Sequence, residues 1–156
     1  MSSYLYGSVR NMAFGNYMWS GAFVCVFDKE YSHILMLKRK HNKEWEDKGG
    51  WGNVGGSVEP GETPVEACIR EAKEEIGIDM RPEDLSLVHV RKVPETEPYE
   101  YIMHFYATSI DNKSAIILND ESYEYRWFGL DELPDNMLDG KKDILEWRGM
   151  AIKHKV

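Results

Sequence analysis

Three glutamates in one short segment, Glu71, Glu74 and Glu75, have a spacing that could support chemistry. At about 100° per residue they would share one sector of roughly 100° on a helix. Like charges one turn apart weaken an isolated helix by a few tenths of a kcal/mol, roughly, per pair. Mg²⁺, which prefers oxygen ligands, would offset that repulsion. The spacing therefore indicates either a metal site or an ordinary solvated acidic face, and both readings stay open.

The segment that carries these glutamates has the signals of a well-defined helix. Thr63 is a favourable N-cap, Pro64 suits the first helical position, and Glu66 lies where it would close a capping box. Gly77 is suited to a left-handed residue that ends the helix. A stripe of apolar residues at helical spacing would face a core and consists of Val65, Cys68, Ile69, Ala72 and Ile76.

The stretch from Gly56 to Ile78 resembles the signature of the Nudix hydrolases, G-x5-E-x7-R-E-U-x-E-E-x-G-U, where U is aliphatic. The matching residues are Gly56, Glu62, Arg70, Glu71, Ala72, Glu74, Glu75, Gly77 and Ile78. Ala72 is smaller than the usual aliphatic residue at its position. The resemblance implies a MutT-like pyrophosphohydrolase with an α/β fold, an α/β/α sandwich with a mixed sheet between helices. It further implies a single domain over residues 1–156.

The resemblance also implies a role for each residue of the signature. Arg70 would orient a glutamate through charge-assisted hydrogen bonds. Glu62 would support the loop or reach a metal through water. The ion would be Mg²⁺, with Mn²⁺ as a second candidate, because a divalent cation neutralises neighbouring phosphates and activates the attacking water. The implied metal ligands are the carboxylates of Glu71, Glu74 and Glu75 and a backbone carbonyl of Gly55 or Gly56.

The general base is left open by the sequence. In the family it is a glutamate of the signature or one further along the chain, so Glu71 is one candidate. Glu124 is the preferred downstream candidate, because glutamates just before a Trp-containing strand approach the metals in some relatives. For every downstream glutamate the alternative is an ordinary exposed side chain. The further candidates are Glu95, Glu97, Glu100 and Glu121.

Substrate contacts are predicted at the end of the second strand and just before the signature. Lys38 and Arg39 begin a basic cluster with Lys40 and Lys43, where family members often place phosphate-binding side chains. The alternative is a solvated strand end. Trp51 could stack on a base, although aromatic residues more often pack in a core. The pattern of Trp51, Asn53 and the paired glycines is similar to members that cleave nucleoside triphosphates.

Composition limits the classes of partner. With 156 residues, 42% hydrophobic and 29% charged, the chain is suited to one domain with a core. A net charge of −8 argues against nucleic acid as a partner, because such binding needs a basic surface. No apolar run is long enough for a membrane span. Cys25 and Cys68 lie in apolar runs and indicate reduced thiols in a cytoplasmic protein. A homodimer remains open.

Periodicity predicts the other elements. An arm or short edge strand is expected from Tyr4 to Tyr17, and a Gly-rich loop from Glu44 to Gly55. A closing helix, Asp143–Lys153, would turn Ile144, Leu145, Trp147 and Ala151 towards the core. Strands are predicted over Met18–Phe27, His33–Lys38, Leu85–Val93, Tyr101–Ala107 and Ser122–Phe128.

The function implied by the resemblance is hydrolysis of a pyrophosphate bond in a nucleoside diphosphate derivative, and several substrates remain open. The first hypothesis is a nucleoside triphosphate, oxidised ones included, cleaved to monophosphate and pyrophosphate. ADP-ribose or another nucleotide conjugate is the alternative, and an RNA 5′ end is disfavoured by the net charge of −8. From another class comes a non-catalytic nucleotide sensor. Sensors tend to lose carboxylates of the metal cage, whereas this signature is complete.

Overall fold

A long central strand, β1 (Tyr17–Asp28), organises the sheet. Its apolar run from Ala22 to Phe27 is buried on both faces of the sheet. β6 (Tyr99–Ile110) lies parallel to β1 along its whole length. β2 (His33–Arg39) and β4 (Val54–Ser57) pair antiparallel with the other edge of β1. The sheet is therefore mixed, as the sequence predicts.

The segment of residues 51–57 changes its partner strand along its length. β3 (Trp51–Gly52) pairs with β2, whereas β4, which begins one residue later, pairs with β1. The change occurs at Asn53, where β1 and β2 are separated by the β3–β4 segment. β5 (Ser86–Val93) and β7 (Ser122–Gly129) complete the sheet, β5 beside β6 and β7 beside β2.

One helix covers each face of this sheet. α1 (Pro64–Ile76) packs on one face through Ala67, Cys68 and Ala72, in what we call the α1-side core. α2 (Lys141–His154) packs on the other face in the α2-side core, through Ile144, Trp147 and Ala151. Short 3₁₀ turns lie at Pro82–Asp84 and Lys113–Ala115. The predicted α/β/α arrangement with a mixed sheet between helices is confirmed.

The structure, a computed structural model, describes residues 17–40, 50–93 and 99–154. Predictions for the arm before residue 17, for Lys43 and for the base candidates Glu95 and Glu97 lie outside the described residues, as does the side chain of Glu100. In the described part of the chain, no helix is long and apolar enough to cross a membrane.

Two predicted features differ from the structure. The end of the expected Gly-rich loop contains β3 and β4, because backbone pairing with β2 and β1 makes strands of residues that have no apolar period. Leu145 was expected in the core but is 47% exposed. Its neighbours Ile144 and Trp147 fill the space over the sheet, and Leu145 falls on the outer side of α2.

Candidate functional site

The start of α1 is fixed by local hydrogen bonds. The Thr63 hydroxyl accepts from the Glu66 amide at 3.1 Å, and the Glu66 carboxylate accepts from the Thr63 amide at 3.0 Å. Together they form the predicted capping box. Gly77 ends the helix with φ +70°, and its amide donates to the carbonyls of Ala72 and Lys73. These hydrogen bonds fix the residues at which α1 begins and ends, and the three glutamates lie between them.

Two glycines let β4 lie against both β1 and α1. Gly55 has φ +149°, and a Cβ there would lie 2.3 Å from the carbonyl oxygen of Ala22. A Cβ on Gly56 would lie 2.7 Å from Oε1 of Glu71. At Gly55 only a residue without a side chain fits, whereas at Gly56 a side chain would require the Glu71 carboxylate to move. The Glu71 carboxylate consequently lies directly against the backbone of β4.

Arg70 connects the loop, the strand and the helix. Its Nε and Nη2 donate to the two carboxylate oxygens of Glu62 at 2.8 and 3.0 Å. Nη1 donates to Glu71 Oε1 at 2.9 Å, and Nη2 also donates to the Ser57 carbonyl at 2.9 Å. The hydrogen bonds from Arg70 lower the pKa of Glu62. The geometry is the one that an orienting role for Arg70 requires.

Glu71 is held in an environment that favours its protonated form when no cation is present. Burial is the largest effect, the negative charge of Glu75 is the next, and together they raise the pKa of Glu71 to about 7. The Arg70 guanidinium opposes this change, and Glu74 adds to it. A carboxyl with a pKa near neutrality can accept a proton at physiological pH, or it can exchange its proton for a cation.

Glu75 and Arg39 form a buried ion pair between α1 and β2. Their exposed fractions are 1% and 2%, and Arg39 Nη1 donates to Glu75 Oε2. The other carboxylate oxygen accepts from the Gly55 amide at 2.8 Å. Arg39 Nη2 donates to the carbonyls of Asn53 at 3.2 Å and Gly55 at 3.1 Å. Burial raises the pKa of Glu75, while the Arg39 charge opposes that change.

The buried pair leaves Arg39 less available to a phosphate, and Glu75 less available to a metal ion, than the sequence predicts. Arg39 was expected at a strand end with its guanidinium available to phosphate, but it is buried and donates to protein oxygens. Glu75 was expected as a metal ligand, but both of its oxygens accept hydrogen bonds from the protein. The carbonyl of Gly55, another expected ligand, accepts from Arg39. The physical reason is that a buried charge needs a compensating partner.

The glutamates of α1 fit a hard divalent cation in chemistry, although they are not gathered into a closed cage. Among the described residues, no three His, Cys, Asp or Glu side chains are placed to hold one ion. Glu71 and Glu74 lie on one side of α1, and Glu74 is half exposed, with an oxygen 3.4 Å from Arg70 Nη1. The negative charges of Glu75 and Glu74 both raise the pKa of Glu71, so this side of α1 has an excess of negative charge on oxygen donors, which suits Mg²⁺.

The two downstream glutamates lie differently from the expected arrangement. Glu124 is directly opposite Lys38 in the β2–β7 register, so the two side chains share a face of the sheet. Lys38 reaches over Trp51, which belongs to the α2-side core, so Glu124 lies on the face opposite α1. Its carboxylate instead lies 3.7 Å from Arg126. The charge of Glu121, by contrast, raises the pKa of Glu75, so Glu121 lies nearer to the α1 glutamates.

Trp51 is a packed side chain and not an open platform. It is 6% exposed and meets the ring of Phe128 edge to face, with centroids 5.0 Å apart. Lys38 Nζ lies 5.9 Å from its ring centre, and the Arg126 guanidinium lies 5.2 Å from it. Of the predicted substrate contacts, Lys38 and Trp51 are therefore brought together, with Arg126 as a cation that the sequence analysis did not single out.

A match to a family model decides the classification. The model described as the NUDIX domain matches residues 19–148, which includes the sheet, α1 and most of α2. This chain belongs to the Nudix family. Members of the Nudix family typically depend on a divalent metal ion.

Two curated relatives of this chain are named for different substrates. Dihydroneopterin triphosphate diphosphatase of Escherichia coli is 36% identical over 87 residues, 56% of this chain and 55% of that protein. The chain thus matches about half the length of that relative. ADP-ribose pyrophosphatase of Methanocaldococcus jannaschii is 33% identical over 118 residues, 74% of this chain and 67% of that protein.

Solved Nudix structures share the fold. The crystal structure of a MutT NUDIX hydrolase from Burkholderia pseudomallei is similar to this chain with a TM-score of 0.65 and 26% identity. The similarity covers 83% of this chain and 97% of that one. The likeness therefore extends well beyond the Nudix signature to the sheet and both helices.

A polar cluster on the α2-side face of this Nudix domain was missed by the sequence analysis. Asn53 Nδ2 donates to Asp139 Oδ2 at 3.1 Å, and Arg91 lies 3.6 Å from Asp139 Oδ1 and 3.5 Å from Asp143. Burial raises the pKa of Asp139, whereas Arg91 and Asn53 oppose that change. These residues are far apart in the chain, and no local pattern could have joined them.

Proposed function

We propose that this chain hydrolyses a pyrophosphate bond in a nucleoside diphosphate derivative with Mg²⁺, and that Mn²⁺ can replace it. The observation that carries the proposal is the Glu71 carboxyl, which lies against the Gly56 backbone, is hydrogen-bonded by Arg70 and has a pKa of about 7. Such a carboxyl suits either a metal ligand or a base. When bound, the cation would neutralise phosphate charge and lower the pKa of the attacking water.

Some side chains of the signature would hold the cation, and others would position the backbone and side chains around it. Glu71 and Glu74 would hold the cation. The carbonyl of Gly56 is the backbone candidate, because the carbonyl of Gly55 accepts from Arg39. Glu75 would act as a ligand only by giving up a hydrogen bond to Arg39 or to the Gly55 amide, so in this structure its contacts support positioning of β4 against α1.

Two glutamates are candidates for the general base. Glu71 is supported by its pKa, and Glu121 by the effect of its charge on Glu75. Glu124, on the opposite face of the sheet, has no such support. Removing a general base typically lowers turnover by about 10² to 10⁴ fold. Comparison of Glu121→Gln with Glu124→Gln tests the downstream candidate. If Glu121 is the base, turnover falls by that factor in the first variant and changes little in the second, whereas equal turnover of the two variants would leave Glu71 as the candidate.

The substrate proposed first is a nucleoside triphosphate, oxidised ones included, cleaved to monophosphate and pyrophosphate. A named relative acts on dihydroneopterin triphosphate, which supports a triphosphate. The alternative is ADP-ribose or another nucleotide conjugate, as named for the archaeal relative. A non-catalytic nucleotide sensor is less well supported, because the carboxylates of the signature are all present.

A substrate panel with product identification tests the function. Unmodified and oxidised nucleoside triphosphates, ADP-ribose and a nucleotide sugar would each be incubated with Mg²⁺, and the products would be separated by chromatography. Release of pyrophosphate and monophosphate is expected from the triphosphates. Glu74→Gln should remove the activity, whereas Glu83→Gln, on an exposed 3₁₀ turn, should retain it. Cleavage of the nucleotide conjugates alone would replace the triphosphate proposal, and no cleavage of any member would refute hydrolysis.

We propose a cytoplasmic setting for this chain. Cys25 and Cys68 are both free and buried, which supports a cytoplasmic protein. We also propose that residues 1–156 form one domain and that the partner is a small nucleotide, not a nucleic acid or a membrane. Homodimer formation stays a prediction, and sedimentation would measure it.

A further inference from the structure

The outer edge of β5 has no partner strand in the described part of the chain. β5 (Ser86–Val93) is the last strand in the sheet order, and within residues 17–40, 50–93 and 99–154 it pairs with β6 alone. Backbone N–H and C=O groups along its eight residues therefore point away from the sheet. An open edge of this length is a template for one more strand.

Exposed apolar side chains lie beside this edge, on the same face of the sheet as α1. We call Leu87 and Val90, which are 44% and 47% exposed, the β5 patch. Leu87 is opposite Tyr106, a residue of the α1-side core. Val90 is opposite His104, which shares a face with Tyr106 because the two are two residues apart in β6. α1 packs mainly on β4 and β1, so it leaves this part of the face open.

The chain that precedes β1 is attached at the end of the sheet where β5 finishes. Tyr17, which begins β1, is opposite Tyr99 of β6. Val93, which ends β5, is opposite Tyr101 of the same strand. With adjacent strands about 4.8 Å apart, a strand added beyond β5 would lie about 14 Å from β1, a distance that about four to five extended residues span. Residues 4–12 then remain to follow the eight residues of β5.

The sequence of residues 4–12, YLYGSVRNM, suits a strand at an edge. It contains tyrosine and valine, which favour strands, and it has no proline, which would remove a backbone donor. Leu5 and Val9 are four residues apart, so a strand would direct both to one face. On the α1 side of the sheet they would cover the β5 patch.

The small size of the β5 patch favours a segment of this chain over a second molecule. A stable dimer buries about 800 Å² on each partner, and two side chains that are less than half exposed supply much less than that. A tethered segment needs fewer contacts, because its attachment to β1 gives it a high local concentration at β5.

We propose that residues 4–12 add to the outer edge of β5 as a further strand, with Leu5 and Val9 over the β5 patch. The added strand runs parallel to β5, because its C-terminal end must be at the end of the sheet where β1 begins. Backbone hydrogen bonds to β5 supply most of the binding, as in other cases of strand addition. The pairing uses no residue of the proposed reaction site, so it does not depend on the proposed function.

Amide hydrogen exchange of the full-length chain, resolved residue by residue by NMR, tests the pairing. About half of the amides of residues 4–12 should be protected, together with the outward-facing amides of β5. Each should exchange at least about tenfold more slowly than in an unstructured peptide. Exchange of all of residues 4–12 at the rate of an unstructured peptide would overturn the proposal.

Proline variants show whether the protection comes from pairing with β5. Successive amides point to opposite sides of a strand, so either Ser8→Pro or Val9→Pro removes a donor to β5. That variant should lose the protection of the outward-facing amides of β5, whereas the inward-facing amides, which bond to β6, should stay protected and show that the fold is intact. Ser3→Pro, outside the paired residues, is the matched control and should keep both. Retained protection of the outward-facing amides in both Ser8→Pro and Val9→Pro would overturn the assignment to β5.

The dependence on protein concentration separates the tethered segment from a second copy of the chain. Pairing within one chain protects the outward-facing amides of β5 equally at every concentration. Protection that rises with concentration would assign the added strand to another molecule and overturn the proposal.

Discussion

At the scale of single residues, the site depends on charges placed where water cannot screen them. Arg39 and Glu75 are both almost completely buried, and each makes further hydrogen bonds with the backbone of Asn53 or of Gly55 in β4. A buried ion pair is stable when its remaining polar atoms also have partners. The pair therefore joins β2, β4 and α1 at one point.

Replacement of Arg39 should destabilise the fold. Arg39→Met removes the charge that compensates Glu75, so the free energy of unfolding should fall by about 3–5 kcal/mol. Urea unfolding of the metal-free protein measures the change. Arg81→Met is the control, because Arg81 is exposed and pairs with Asp84 on the surface, and its stability should stay close to that of the wild type. Equal effects of the two variants would contradict a special role for the buried pair.

A methyl group on Gly56 should disturb chemistry more than folding. Its Cβ would lie 2.7 Å from Glu71 Oε1, so the carboxylate must move. A displacement of about 1 Å in a reacting group can lower turnover by about 10² fold, and we expect Gly56→Ala to show a loss of this order in kcat. Gly149→Ala, in α2 with open space around its Cβ, is the control and should retain full turnover. Normal turnover of Gly56→Ala would contradict the close approach.

At the scale of elements, α1 could be predicted in detail because its signals are local. The capping box lies within four residues, and Gly77 ends the helix by its own backbone preference. The order of its three glutamates then follows from the period of the helix. None of this depends on residues elsewhere in the chain, so the sequence was sufficient.

Loss of the capping box should weaken α1 by a small, measurable amount. Thr63→Ala removes the hydroxyl that accepts from the Glu66 amide, which should cost about 1 kcal/mol of stability. Thr63→Ser keeps the hydroxyl and should stay close to the wild type. The midpoint of thermal unfolding compares the two variants. If the alanine variant were as stable as the serine variant, the cap would not contribute.

Other parts of the site could not be predicted, because they depend on pairing across the chain. β3 and β4 contain few apolar residues and become strands only by pairing with β2 and β1. Arg39 looked like one of several surface cations until its partner on α1 was known. Asn53 and Asp139 come from separate segments, and nothing near either residue indicates the other. Tertiary contacts thus determined what local patterns left open.

At the scale of the whole molecule, proton and cation compete for the same carboxyl. The pKa of Glu71 is raised to about 7 in the folded metal-free protein, from an ordinary value near 4.5. Between those values the folded state binds a proton that the unfolded state releases, so stability falls as pH rises through this range. A bound divalent cation would replace the proton and restore stability by mass action.

This competition predicts opposite effects of pH with and without metal. In EDTA, the contribution of Glu71 should lower the midpoint of thermal unfolding as pH is raised from about 5 to about 7.5. The stabilisation by Mg²⁺ should increase over the same range, because the cation needs the deprotonated carboxylate. Glu71→Gln should lack the contribution of Glu71 to the pH dependence of the thermal midpoint in EDTA. It should also lack that contribution to the pH dependence of the stabilisation by Mg²⁺. Identical pH profiles for the variant and the wild type would show that Glu71 does not titrate there.

The parallel pairing of β1 with β6 has a consequence for synthesis of the chain. β1 is the central strand and leaves the ribosome early, whereas β6, which covers one whole edge of it, is made after α1 and β5. Until residues 99–110 emerge, the apolar strand β1 has an open edge that another nascent chain can join. A ribosome-stalled chain ending before residue 99 should therefore aggregate or bind chaperones, and one that includes β7 and α2 should not.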